Sequence, residues 1–301
     1  MIELHWLNGL EEYFDSIDHP QKTKYHRIKQ AIVNGSPYAI RDCMLDEIHR
    51  GYTDKTNGFI SVIMQKFLDN EEIEITNRRI LEYISHCIDD DFLKEVSRWS
   101  SRWGERANLN DHFSRGQMKS KFWLISELNK LDIEPKNVAL LGGWYATIAY
   151  FFFLNWDGIE KFRNYEIDPM CLEQADDFNF REWKNDWQFK ATQADACNLR
   201  WEPPILVTRT KNVHGRMVRE DFIPDLIVNT SCEHMSDKWF YDIPEGHLVA
   251  LQTNDYFENE QHVNCVHDIK EALEKYKFRQ VLYSGTLDTQ LYKRFMIIGR
   301  R

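Results

Sequence analysis

Glu233 and His234 are adjacent, follow the apolar run Leu226-Ile-Val, and carry the two side chains best suited to moving a proton. An imidazole titrates near neutrality, so His234 suits a general base, with Glu233 orienting it or an acceptor. The same pair serves equally as a helix-capping acid and a satisfied surface histidine. Cys232, just before them, lacks an identifiable basic partner that would hold it as a thiolate. Gly142 and Gly143 permit positive φ and a close backbone approach to a ligand. Asp168, about 20 residues on from this turn, stands where an acid can accept hydrogen bonds from ribose hydroxyls. Asn254 and Tyr256, after another apolar run, can line an acceptor, or form an ordinary Asn-Asp turn. His262-x-x-Cys265-x-His267 has ligand-type residues, but it lacks a fourth ligand and fits no standard zinc spacing, so no metal is expected.

These residues need a sheet to bring them together. Val138 to Leu141 form an apolar run without alternation, as in a parallel strand covered on both faces. From there the pattern predicts strands at 137–142, 162–167, 187–192, 225–230, 247–252, 278–283 and 292–299. Helices are expected at 144–156, 169–183, 236–242 and 263–276. Alternation of this kind argues for a mostly parallel sheet with helices on both faces. The last two strands are joined by a link too short for a helical crossover, so they must pair antiparallel. Residues 204–223 interrupt the series with a locally basic hairpin turning at Asn212-Val-His-Gly215.

Residues 1–112 read as helices only. Ser36-Pro37 and Gly51 bracket one that carries Ile40, Met44, Leu45 and Ile48. Phe59, Ile63 and Phe67 mark another. Thr76 caps a third, with Ile80, Leu81, Ile84 and Ile88 inward, and Asp89-Asp90-Asp91 starts a fourth with Phe92, Val96, Trp99 and Trp103. This predicts an all-α domain at 1–112, shaping an acceptor pocket, before an α/β domain at 113–301. In the helix between them Phe122, Ile125, Leu128 and Leu131 face the sheet. Gln117 and Lys121 in its polar lead-in are placed either to contact a nucleotide or to face solvent.

The chain has 301 residues and a formal net charge of −10, which argues against a large nucleic-acid surface. Six cysteines without a C-x-x-C pair fit reduced thiols. The start of the sequence lacks a basic, then apolar leader, and its longest apolar run is too short to span a bilayer. A cytoplasmic protein making no membrane contact is expected. Whether it assembles with copies of itself is left open.

Residues 137–301 resemble a class I S-adenosylmethionine-dependent methyltransferase, of a kind similar to those of phages and marine bacteria. Val138-Ala-Leu-Leu-Gly-Gly-Trp-Tyr-Ala146 is similar to the family's first motif, though with Leu141 where an acid is usual and Gly-Gly-Trp-Tyr-Ala for G-x-G-x-G. Glu166-Ile-Asp168-Pro resembles the second, and Gln193-Ala-Asp195-Ala196 the third. Pro224-Asp-Leu-Ile-Val-Asn-Thr-Ser-Cys-Glu-His234 resembles the fourth. The resemblance implies a seven-stranded Rossmann-like sheet with an antiparallel C-terminal hairpin. It implies S-adenosylmethionine as cofactor and S-adenosylhomocysteine as product. It places the cofactor against Gly142, Gly143, Trp144, Tyr145, Glu166, Asp168, Asp195, Ala196, Asn229 and Ser231, with Asp168 on the ribose and Asp195 on the adenine amine. The fourth motif is not the Asn-Pro-Pro-Tyr form that holds a base amine. A small-molecule acceptor is therefore expected ahead of RNA or DNA. An NAD-linked oxidoreductase and a non-catalytic cofactor-binding module are the alternatives.

Overall fold

A computed structural model describes residues 4–33, 77–179, 187–212 and 214–301. The expected helices around Ser36-Pro37 to Gly51 and Phe59 to Phe67, and the Thr76 cap, lie outside the described residues. The chain divides into two compact units, Met1–Lys119 and Ser120–Arg301.

The described part of the first unit is helical: α1 (His5–Ser16), α2 (Lys22–Val33), α3 (Asn77–Cys87), α4 (Asp91–Trp103) and the single turn α5 (Leu109–His112). Its core is aromatic. Trp6, Phe14, Tyr25, Phe92, Trp99 and Phe113 are all fully buried, and Phe14 stacks on Tyr25 at 4.5 Å between ring centroids. Asp90 begins α4 because its carboxylate accepts the Leu93 N–H at 2.7 Å, satisfying one of the donors left open at a helix start. Ile80, Leu81, Ile84 and Ile88 point inward as expected, while Trp103 is only half-buried.

The next helix, α6 (Arg115–Lys130), belongs to the second unit from Ser120 on, where Ile125 and Leu128 are buried and Phe122 packs on Phe151 at 4.5 Å. Strands β1 (Asn137–Leu141), β2 (Lys161–Glu166), β3 (Phe189–Gln193), β7 (Leu226–Asn229), β8 (Leu248–Asn254), β9 (Gln280–Asp288) and β10 (Lys293–Arg300) form one sheet in the order β3-β2-β1-β7-β8-β10-β9. Pairings from β3 through β8 are parallel, and β10 runs antiparallel to both β8 and β9. This is the expected Rossmann-like methyltransferase sheet with its antiparallel C-terminal hairpin.

Helices α7 (Thr147–Asn155), α8 (Pro169–Phe178), α9 (Lys238–Asp242) and α10 (Ile269–Lys275) connect the strands. α10 is shorter than the expected 263–276. Asp268 accepts the N–H groups of Lys270 and Glu271 and so fixes the start of the helix, leaving 263–268 as a loop. The insertion folds as a separate antiparallel sheet of three strands, β4 (Arg200–Glu202), β5 (Ile205–Lys211) and β6 (Met217–Phe222). Its expected hairpin thus gains a third strand. No described helix is long and apolar enough to cross a membrane, and no disulfide joins the described cysteines.

Candidate active site

The sheet order reverses at β1, which pairs with β2 on one side and β7 on the other. In open parallel sheets such a switch point leaves a crevice at the C-terminal strand ends. The turns after β1 and β7 meet there: a side chain at Gly142 would come within 2.7 Å of the Met235 methyl.

The β1 turn has a specific backbone. Gly142, Trp144 and Ala146 alternate in left-handed conformations, with φ of +61°, +52° and +53°. The chain therefore keeps positive φ at every second residue, although only the first is glycine. Gly143 is required by packing, since a Cβ there would lie 2.3 Å from both a Leu140 methyl and Asn164 Oδ1. Two side chains of β2 hold the strained turn. Glu166 Oε2 accepts the Trp144 N–H at 2.8 Å, and Asn164 Nδ2 donates to the Trp144 carbonyl at 3.2 Å. The Trp144 ring stacks on Tyr145 at 4.3 Å.

The two expected acids beyond it are helix caps. Asp168 is exposed, and Oδ1 accepts the Met170 N–H at 2.8 Å to start α8. The acid that ends β2 is Glu166, buried, whose Oε1 also accepts the Asp168 N–H at 3.1 Å. Asp195 opens the short turn Ala196–Asn198 by accepting the Cys197 N–H at 2.9 Å, and Ala196 is buried behind it.

Beyond β7 the arrangement is different. Asn229 is fully buried, with Oδ1 accepting the Ser231 N–H at 2.9 Å and Nδ2 donating to Met235 Sδ at 3.3 Å. Glu233 lies on the following short turn and is only 1% exposed. Its Oε1 receives Arg294 of β10 at 3.0 Å and Asn254 Nδ2 of β8 at 2.7 Å. Arg294, itself buried, also donates to the Thr230 carbonyl at 3.0 Å and to Gln252 Oε1 at 3.3 Å. Glu233 is thus a neutralised core residue rather than an open base. Asn254 Oδ1 in turn accepts the Tyr256 N–H at 3.0 Å, as in the turn that is the other reading of this residue. Cys232 is fully buried, which pushes its thiol well above the ordinary range and removes it as a nucleophile.

His234 is exposed, with Nδ1 at 3.2 Å from the Gln261 carbonyl. The His262 ring meets it edge to face at 4.6 Å, and its Nδ1 lies 2.8 Å from the Tyr256 carbonyl. Burial holds the His262 imidazole below its ordinary pKa. Tyr256, half-buried, stacks on Tyr292 at 5.5 Å and sets its edge against His262 at 5.7 Å.

The remaining residues singled out in the sequence lie apart. Cys265 donates to Asn254 Oδ1, whereas His267 is exposed and pairs with Glu271 at 2.7 Å, so neither joins His262. In the insertion, Arg219 is paired with both Glu202 and Asp221. Gln117 lies in the first unit, where its N–H donates to Ser114 Oγ at 3.4 Å, and Lys121 lies in the second. Sequence reasoning missed Arg294. The signal was a charge heading the apolar run Phe295-Met-Ile-Ile of an interior strand.

No family model and no curated protein matches the chain. Several solved structures do resemble it. Magnesium protoporphyrin IX methyltransferase from Synechocystis, with S-adenosylmethionine bound, is 10% identical over 70% of this chain and 84% of that one, with a TM-score of 0.39. Geranyl diphosphate methyltransferase, in complex with its diphosphate and sinefungin, is 11% identical over 67% and 85%, with a TM-score of 0.44. The [4+2]-cyclase SpnF is 9% identical over 62% and 82%, with a TM-score of 0.45. The strand order itself, rather than these distant likenesses, carries the assignment of the fold.

Proposed function

We propose that this chain is an S-adenosylmethionine-dependent methyltransferase acting on a small-molecule acceptor, with S-adenosylhomocysteine as product. The observation that carries the reading is the strained glycine turn at the switch point of a methyltransferase-type sheet, fastened by the Glu166 carboxylate. The residues fit such a cofactor chemically. Gly142 and Gly143 keep side chains off the turn, Glu166 and Asp168 offer acceptors for ribose hydroxyls, and Asp195 offers one for an exocyclic amine. When bound, the cofactor supplies an electrophilic methyl group on a sulfonium.

The remaining work falls to this chain's residues. His234 is the group we assign to hold the acceptor's proton, since it is exposed at the C-terminal sheet edge. Glu233 is a positioning residue: buried and paired with Arg294, it fixes the turn that carries His234. The half-buried Tyr256 ring walls the same end of β8. The acidic net charge of −10 favours a small acceptor over a nucleic acid.

Calorimetric titration with S-adenosylmethionine, S-adenosylhomocysteine and NAD tests this. Binding of the first two is expected, weakened about tenfold or more in Glu166→Gln, which loses a charged acceptor. Asp168→Ala should also lose about 1 kcal/mol of stability with its helix cap, whereas Asp168→Asn keeps the cap. NAD binding alone, or no binding, would overturn the proposal. Cofactor binding that never leads to turnover on any acceptor would favour a non-catalytic module.

A further inference from the structure

Among the described residues, Glu233, His234 and His262 bring a carboxylate oxygen and two imidazole nitrogens within 4.8 Å of one another. We infer that this cluster is a binding site for a divalent first-row transition-metal ion, at the C-terminal edge of β7 and β8. The inference goes beyond the cofactor reading and needs no cofactor to be true.

Three features point to a ligand. Glu233 Oε1 is taken by Arg294 and Asn254, but Oε2 is buried without any hydrogen-bond partner. A buried carboxylate oxygen left without a partner is costly unless something else binds it. Secondly, each imidazole has its Nδ1 beside a backbone carbonyl, Gln261 for His234 and Tyr256 for His262. A proton on Nδ1 donated to that carbonyl leaves the Nε2 lone pair for a metal, the orientation that carbonyl partners impose on ligating histidines. Thirdly, the carboxylate is anchored by β8 and β10, while His234 is exposed on a short turn and can adjust.

The donor set selects the ion. Two neutral imidazoles and one carboxylate suit Zn²⁺, Co²⁺, Mn²⁺ or Fe²⁺, whereas Mg²⁺ and Ca²⁺ prefer oxygen ligands. Three protein ligands also leave a position open for water or an acceptor. With bonds near 2 Å, tetrahedral ligand atoms lie about 3.3 Å apart, so the cluster must tighten on binding. The Asn259 amide, 3.3 Å from His262 Nε2, must turn aside. A ligating nitrogen cannot also take a proton. With the ion in place, its charge rather than His234 would lower the proton affinity of an acceptor hydroxyl.

Co²⁺ titration of the chelator-stripped full chain, read by visible absorption and calorimetry, tests the site without cofactor. One Co²⁺ per chain is expected, with d–d bands of nitrogen ligation and displacement by Zn²⁺. His234→Gln and His262→Gln are each expected to weaken binding at least about tenfold. His267→Gln, which alters an exposed pair with Glu271 and a ring contact with the exposed Phe257, should leave affinity and spectrum unchanged. Glu233 is avoided as a probe because its removal threatens the core, and circular dichroism checks that the histidine variants fold. No binding, or equal binding by wild type and the His234→Gln/His262→Gln double variant, would overturn the inference.

Discussion

On the β2–β3 side of the switch point, side chains at the strand ends mostly bond to their own neighbourhood. Asp168 reaches two residues ahead, and Asp195 reaches two and three. On the β7–β8 side the partners are remote: Glu233 is 21 residues from Asn254 and 61 from Arg294. The first side is built of turns and caps, each of modest worth and close to solvent. The second is a buried charge network, in which every member depends on strands that arrive late in the sequence. Glu166 and Asn164, tied to Trp144 across 22 and 20 residues, are exceptions on the first side. A reactive edge can thus be held either by local backbone geometry or by the core, and the penalties for disturbing the two differ.

That difference can be broken experimentally. The largest effect should come from Arg294→Met, which leaves the Glu233 carboxylate buried and unpaired, at a cost of about 3–5 kcal/mol. Adding Glu233→Gln should restore part of it, as urea midpoints would show. A loss in the single variant no greater than that of a surface pair would mean that the network is not fastened into the core. Next is Gly143→Ala. Its Cβ would overlap Leu140 and Asn164, for about 2–3 kcal/mol, so the turn too has one position where packing rules. If thermal unfolding showed no loss, the tight approach of these residues would be wrong.

The smallest effect sharpens the comparison on the α8–β3 side. Asp176 accepts the Ala191 N–H at 2.8 Å, yet burial raises its pKa to about 6 from an ordinary 3.8. The native state then binds this proton more tightly than the unfolded state does. Its contribution to stability is full below the ordinary value and is lost as pH rises through about 6. Asp176→Asn keeps an acceptor for Ala191 but cannot ionise. Its urea midpoint relative to wild type should rise from pH 4 to 7 and then level off. A pH-independent difference would count against the burial of that carboxyl.

Much of this was legible in the residues because it is local or periodic. The run Val138 to Leu141 had to be a covered strand, Gly142-Gly143 a turn, and the short link before Lys293 an antiparallel return. Asp168 stood out in the sequence, but β2 itself ends at Glu166, and the pattern did not distinguish an acid that caps α8 from one that faces a ligand. Nor did it mark Trp144 and Ala146 as left-handed, since neither residue type favours that conformation.

What only the tertiary structure decided is the company that Glu233 keeps. In the sequence, Glu233-His234 is a free acid beside a free base. Antiparallel pairing of β10 with β8 sets Arg294 opposite Asn254 and turns the acid into a core anchor. The loop before α10 then lays His262 against His234. Strand and turn preferences act over a few residues and can be read along the chain. Charges separated by tens of residues become partners only when the sheet closes, and low-dielectric burial then makes the pairing obligatory.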